Sequence, residues 1–330
     1  MNQTRVFSQA DAMRLREGAL DFDAARNSPD ISLTDQDASP ELQRYFRHYG
    51  FTVLFERESL ISYSLTFADH DYRIARHLWQ VSNARGTVLV VHGLFDHTGL
   101  YLKLIDRLLS EGFNVVSFDL PGHGLSSGER VAIKDFSEYK QVFNDCLTWC
   151  QESLAGPYFA VGQSTGCSAI LYSLLSDTTP LTKVVLLAPL IRPRAWLYVS
   201  WSHRLVGRFI ARVPRHFGVN SHDPEFLHFL STHDPLQTRY IAMSWVKAMR
   251  NWVSIFKKMP AATHANVLII QGTADLTVDW RWNVPLIQRK FPRAELQHIP
   301  GAFHHLVNEA EPWRGQVFDA TCQHLLHSTD

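Results

Sequence analysis

Ser164 lies in Gly162-Gln163-Ser164-Thr165-Gly166, between the apolar run Tyr158-Phe159-Ala160-Val161 and the apolar residues 167–175. That order reads as a strand, a sharp turn and a helix, with a hydroxyl at the apex. Glycines on both sides let strand and helix pass closely and let the apex residue take a strained backbone conformation. The helix N-terminus supplies backbone N–H groups for a developing oxyanion. An ordinary helix-capping serine would account for Ser164 but not for the paired glycines. The chemistry implied is nucleophilic attack on an acyl carbon, which requires a base for the hydroxyl and a carboxylate to orient that base.

For a serine on such a turn, the acid and then the histidine follow it along the chain. The loop after the apolar run 267–270 holds Asp275 and Asp279. Asp275 comes sooner after the strand, with Gly272 allowing the turn, and is the favoured acid. Asp279 is placed to cap a helix starting near Trp280. Beyond the last apolar run, Gly301-Ala302-Phe303-His304-His305-Leu306 offers two candidate bases, His304 and His305. Histidine takes a serine proton near neutral pH without an extreme shift. Two oxyanion donors are expected: the N–H of Thr165, directly after the nucleophile, and the N–H of Leu94 in the loop His92-Gly93-Leu94-Phe95-Asp96-His97. Within that loop Gly93 lets the backbone approach the substrate, and His92 reads as a support for the loop.

The elements that must position these residues follow an alternating pattern. Residues 62–67 and 72–79 alternate in polarity as antiparallel strands with one solvated face would. Residues 87–91, 114–118, 158–161, 183–188, 267–270 and 295–299 are strand-like runs separated by helical stripes, such as Leu104, Ile105, Leu108 and Leu109, which Gly112 ends. This predicts an α/β fold with a mostly parallel sheet and helices on both faces. Residues 60–189 and 263–330 form the expected core. Residues 1–59 read as an N-terminal extension with helical character at 13–20 and a short helix at 40–49. Residues 190–262 lack a buried strand and read as a helical cap insertion emerging at the ligand-binding edge of the sheet. Its aromatics (Trp196, Trp201, Phe209, Phe217, Phe226, Phe229, Trp245, Trp252, Phe256) are expected to fill a small core of its own.

Composition narrows the classes further. Thirty-two basic and 32 acidic side chains cancel, so no broad electrostatic field is expected and nucleic acid is excluded as a partner. There is no run of apolar residues of spanning length and no secretory signal, so a cytoplasmic location is expected. Cys146, Cys150, Cys167 and Cys322 read as buried free thiols, and neither a metal nor a cofactor is expected.

Four blocks together resemble the α/β-hydrolase superfamily, and within it the monoacylglycerol lipase and lysophospholipase group, the serine aminopeptidase S33-like hydrolases. They are residues 90–99 with Tyr101, which resemble the group's oxyanion loop; Phe118-Asp119-Leu120-Pro121-Gly122-His123-Gly124-Leu125-Ser126-Ser127-Gly128-Glu129-Arg130; the serine turn; and residues 301–306 with Asn308-Glu309. The last block selects His304 over His305. The resemblance runs from about Leu60 to the C-terminus. It implies a cofactor-free serine ester hydrolase that works through an acyl-enzyme on small acyl esters or lipids such as monoglycerides or lysophospholipids. Three departures stand out. Thr165-Gly166-Cys167 replaces the group's Met-Gly-Gly. The bulky Trp280-Arg281-Trp282 is expected to alter the pocket edge near Asp275. The insertion carries no recognisable motif. An acyltransferase, or an idle ligand-binding protein on the same fold, would share these features, and transient membrane-surface contact and oligomeric state are left open.

Overall fold

The computed structural model describes residues 6–17, 39–69, 71–194, 196, 210–262 and 264–327. Helix α1 (Gln9–Glu17) and helix α2 (Pro40–Tyr49) open the chain. Ser39 caps α2 by accepting from the Leu42 N–H at 3.3 Å, and Gly50 closes it in the left-handed region at φ 81°. Ala12 of α1 and Tyr45 and Phe46 of α2 join the main core, as do Phe7 before α1 and Phe51 and Leu54 after α2; all lie in the cluster of Tyr63 and Trp79, and Phe51 stacks on Trp79 at 5.4 Å.

Strands β1 (Leu60–Asp69) and β2 (Arg73–Val81) form an antiparallel pair in which Tyr63 faces Trp79. Next come β3 (Thr87–Val91), α3 (Leu102–Ser110), β4 (Asn114–Phe118), α4 (Ser137–Ser153), β5 (Tyr158–Gln163), α5 (Thr165–Ser176) and β6 (Leu181–Leu187). The chain then runs through the short β7 (Arg212–Pro214), α6 (Pro224–Thr232), the short β8 (Tyr240–Ala242) and α7 (Met243–Lys258). It returns to the sheet with β9 (Val267–Gly272), α8 (Trp280–Lys290), β10 (Glu295–Ile299) and α9 (Trp313–Leu326). One eight-stranded sheet has the order β1-β2-β4-β3-β5-β6-β9-β10, parallel from β4 to β10.

The central strands are apolar throughout because both their faces are covered. Val88 and Val90 join the cluster holding the N-terminal aromatics, α3 and α9, whereas Leu89 and Val91 join the cluster holding α4, α5, α7 and α8. This is the period-two alternation of a strand buried on both sides. The order reverses between β3 and β5, where the chain leaves β4 on one side and resumes on the other, and ligands bind at such a reversal.

The region between β6 and β9 departs from the sequence reading in two ways. It contains an antiparallel ribbon, with Val213 of β7 opposite Ile241 of β8, as well as helices. Its aromatics also do not form a separate core. Trp245, Trp252 and Phe256 belong to the cluster on the sheet face, where Trp252 stacks on Phe136 at 5.6 Å and the Trp245 indole donates to Tyr139 Oη at 3.1 Å. Phe226 joins the cluster on the other face, with Phe229 packed against it. Tryptophans this large bury more surface against an existing sheet than a small insertion could offer. Trp201 and Phe209 lie outside the described residues. All four cysteines are free and buried, and burial raises each thiol.

Candidate active site

The C-terminal ends of β3, β5, β9 and β10 lie along one edge, so the loops that leave them share a rim. Ser164 follows β5 with φ 52° and ψ −108°, a conformation a serine adopts only when its surroundings enforce it. Three main-chain hydrogen bonds do so. Its N–H donates to Leu187 O at 2.9 Å, and its carbonyl accepts from Cys167 N–H at 3.1 Å and Leu190 N–H at 3.2 Å. The flanking glycines are explained by contact. A Cβ on Gly166 would sit 2.2 Å from Val91 O, and one on Gly162 would sit 2.7 Å from Ile170 Cδ1. Ser164 is only 6% exposed, and that exposure opens into a cleft of about 690 Å³ lined by Gly93, Leu94, His304 and His305 among others.

Asp275 and His304 meet. His304 Nδ1 lies 2.8 Å from Asp275 Oδ2, and both residues are buried. The carboxylate also accepts from Thr277 N–H at 2.7 Å, Val278 N–H at 3.1 Å and the Gln271 amide at 3.1 Å. Burial alone would raise this carboxyl. The His304 ring beside it and the N–H groups of Thr277 and Val278 outweigh burial and hold it below the ordinary carboxylate range. With Nδ1 committed to the acid, Nε2 is the ring nitrogen that the acid does not use. The loops that carry the pair are stitched together: Thr273 N–H donates to Ile299 O at 3.1 Å and Ala274 N–H to Ala302 O at 3.0 Å. Gly272 makes that approach possible, because a Cβ there would stand 2.4 Å from Phe303 O. It also opens the turn expected of it, its carbonyl accepting from Asp275 N–H at 3.4 Å. The Gln163 amide donates to His304 O at 2.9 Å and ties the serine strand to the histidine loop.

His305 points to a different carboxylate, with its Nε2 3.2 Å from Asp96 Oδ2. Asp279 occupies the first position before α8, yet its side chain does not cap the helix. It accepts from Arg192 Nε at 2.9 Å and Nη2 at 2.6 Å. A guanidinium fork offers that carboxylate two charged donors, more than a cap would.

The loop after β3 is a turn in which Asp96 N–H donates to Gly93 O at 3.2 Å and Phe95 takes φ 70°. Leu94 is its first central residue, so the turn's own hydrogen bond does not use the Leu94 N–H. Thr165 N–H belongs to the first turn of α5, which has no intrahelical acceptor for it. His92 is structural: Nδ1 donates to Gly93 O at 2.7 Å and Nε2 accepts from Leu120 N–H at 2.9 Å.

Several residues named in the sequence only as members of the matching blocks prove to support the site. Tyr101 Oη accepts from Gly93 N–H and donates to Asp96 Oδ2, each at 3.0 Å. Asp119, fully buried, accepts from Thr98 N–H and Leu125 N–H, each at 2.7 Å, and so clamps two of the motif loops together. Glu309 accepts from Phe303 N–H at 2.5 Å and His222 N–H at 2.7 Å, and Asn308 donates to Leu100 O at 2.8 Å. These residues stand inside the motif blocks or beside them, and a polar residue within a motif in an otherwise apolar stretch is the signal that could have found them. Trp280 and Trp282 do not line the cleft as expected. Trp280 packs on His298, Trp282 lies under Arg192, and Leu276, Thr277 and Val278 form that edge instead.

An eight-stranded sheet in this order, with its elbow after the fifth strand and its ligand edge at the order reversal, is the α/β-hydrolase fold. Residues 82–311 match the family model described as Serine aminopeptidase, S33, and the chain belongs to that family. It is similar to a monoglyceride lipase homolog of Monkeypox virus, with 24% identity over 76% of this chain and 92% of that protein. It is also 24% identical to the Homo sapiens monoglyceride lipase, over 77% of this chain and 86% of that one. Among solved structures, a soluble variant of monoglyceride lipase from Saccharomyces cerevisiae, in complex with a substrate analogue, superimposes with a TM-score of 0.69. That match has 22% identity and covers 81% of this chain and 96% of the other. The Paleococcus ferrophilus monoacylglycerol lipase gives 0.66 at 22% identity, covering 76% and 97%. Among the described residues no helix is long and apolar enough to cross a membrane.

Proposed function

We propose that the protein is a serine ester hydrolase acting on acyl esters of the monoglyceride or lysophospholipid kind. The observation that carries this reading is the Asp275–His304 pair, 2.8 Å apart, whose His304 lines the cleft into which the constrained Ser164 opens. In this scheme Ser164 Oγ attacks the ester carbonyl while His304 Nε2 takes the hydroxyl proton. Asp275 holds the ring and balances the imidazolium. The N–H groups of Leu94 and Thr165 receive the oxyanion. The tetrahedral intermediate expels the alcohol, which leaves with the proton from His304, and the acyl group remains on Ser164. Water then attacks the acyl-enzyme with His304 again as base, releasing the fatty acid and restoring the hydroxyl. No cofactor is needed.

Leu190, Ile241, Trp245, Val246 and Val278 give the cleft an apolar wall suited to an acyl chain. Each buried methylene contributes about 0.8 kcal/mol, so kcat/KM should rise about fourfold per methylene until the wall is filled. The names of the similar proteins support the choice of lipid esters. The deciding experiment is Ser164→Ala assayed with p-nitrophenyl esters and a fluorophosphonate label. Hydrolysis and labelling should both vanish while the thermal unfolding transition is kept. Retained turnover in that variant would overturn the reading.

A further inference from the structure

The zero net charge of the chain hides a segregation. Residues 190–262 carry eleven Arg and Lys against three Asp and Glu, although the whole chain has 32 of each sign. One of these cations stands inside the cleft. Arg215 follows β7 and lies among the cleft-lining residues. Its guanidinium is sandwiched, 3.9 Å from the Phe95 ring centre and 4.2 Å from that of Phe217. Phe95 is the residue after the oxyanion donor Leu94, so the charge is anchored directly to the loop that faces the reacting carbonyl.

The two rings lie against the π system of the guanidinium and offer nothing to its N–H groups, which seek partners elsewhere. Nη1 donates to Gln237 Oε1 and reaches Thr238 O at 3.4 Å. Both are neutral acceptors, and among the described residues no carboxylate lies within salt-bridge reach of Arg215. The two acids whose fields it feels are already engaged: Asp96 by Tyr101 and His305, and Asp234 by His97 and Tyr49. Burial brings the guanidinium down to about 10 despite those fields. A partly dry cation without a carboxylate of its own is costly in an empty cleft and favourable once an anion enters.

We propose that Arg215 makes this cleft selective for acyl esters that also carry an anionic oxygen group, a phosphate or a carboxylate, which it binds through the edge of its guanidinium. The inference rests on the ester-hydrolase reading and adds a substrate class to it. The apolar wall holds the acyl chain and Arg215 holds the charged group.

The test compares kcat/KM for three esters of one short acyl chain, kept below the micelle concentration: a monoacylglycerol, its phosphate monoester, and the corresponding ester of glyceric acid. Wild type should prefer at least one anionic ester over the neutral one by about tenfold to a hundredfold, the worth of a charged hydrogen bond. Arg215→Met should collapse that ratio toward one, and Arg215→Lys should restore part of it as a point charge without the fork. The ratio is taken within one preparation, so a loss of folded enzyme cancels. Which anionic ester loses more in Arg215→Met identifies phosphate or carboxylate as the group bound. A wild type that prefers the neutral ester, or a ratio unmoved by Arg215→Met, overturns the proposal. Turnover of a p-nitrophenyl ester by wild type is the control for the underlying reading. If that control fails, calorimetric binding of the phosphate ester and of the neutral ester to wild type and to Arg215→Met answers the anion question alone: equal affinities overturn it, and a preference lost with Arg215 supports it.

Discussion

Two of the buried imidazole–carboxylate pairs among the described residues are of almost the same length, one made through Nδ1 and the other through Nε2. His304 and Asp275 are 2.8 Å apart, and His97 and Asp234 are 2.9 Å apart. In each, a glutamine amide also donates to the carboxylate, Gln271 at 3.1 Å in the first and Gln237 at 2.8 Å in the second. Each carboxylate takes backbone N–H groups as well, from Thr277 and Val278 or from Leu236. What differs is the fate of the second ring nitrogen. Nδ1 of His97 accepts from Gly99 N–H at 3.1 Å, and the ring is sealed between Tyr49 and the loop after β3. On the proposed function His304 keeps Nε2 for the serine proton, so that such a pair serves as a proton acceptor or as a rivet according to whether one nitrogen remains uncommitted.

Variants can separate the two. His304→Ala should reduce kcat by about 10⁴-fold or more, as loss of a general base does, while urea unfolding moves by less than about 1 kcal/mol. Asp275→Asn should cost about 10³–10⁴-fold in kcat by releasing the ring from its working tautomer. His97→Ala should do the reverse, losing about 3 kcal/mol of stability by stranding the Asp234 charge, with kcat per folded molecule changed far less. A large loss of kcat in His97→Ala without destabilisation would break the comparison.

The pH dependence of stability sharpens it. Asp234 and Asp275 are both held below the ordinary carboxylate range, in each case because the histidine partner and hydrogen bonds outweigh burial. A depressed carboxyl stabilises the fold above its unfolded value, about 3.9, and loses that contribution as pH falls through the folded value. Urea unfolding should therefore be flat from neutral pH to about pH 5 on this account and weaken below about pH 4. Asp234→Asn should start lower at neutral pH and fall less steeply in acid. The smallest effects belong to the glutamines. Gln271→Leu should lower kcat by less than about tenfold, and Gln237→Leu should cost about 1 kcal/mol of stability.

How far these features were legible in the sequence follows from how local each one is. Five strand runs and the serine turn could be read because burial on both faces and glycine contacts leave short, dense patterns, as at residues 87–91 and 162–166, whereas the sixth run, 295–299, is a largely exposed edge strand. Asp275 and His304 were placed by chain order and by the ending block, and position alone did not separate His304 from His305. The engagement of His305 with Asp96, on a loop about 200 residues away in sequence, is a tertiary fact with no local trace. The same holds for Asp279 turning to Arg192, and for Trp252 leaving its own segment to stack on Phe136. Arg215 was hidden differently. A balanced total charge masks any segregation of charge along the chain, and only the fold shows which cation faces the cleft.

The packing of the amino-terminal segment against the sheet, with Phe51 on Trp79, bears on protein engineering. A fragment trimmed to the stretch that matches the family model would discard α1, α2, β1 and β2, and at the other end α9. Strand β4 would then become a raw margin with unpaired amides, and the apolar floor beneath it would meet water. Such a fragment should precipitate on expression even with Ser164, Asp275 and His304 present, so the amino-terminal elements and α9 belong in any minimal domain cut from this polypeptide.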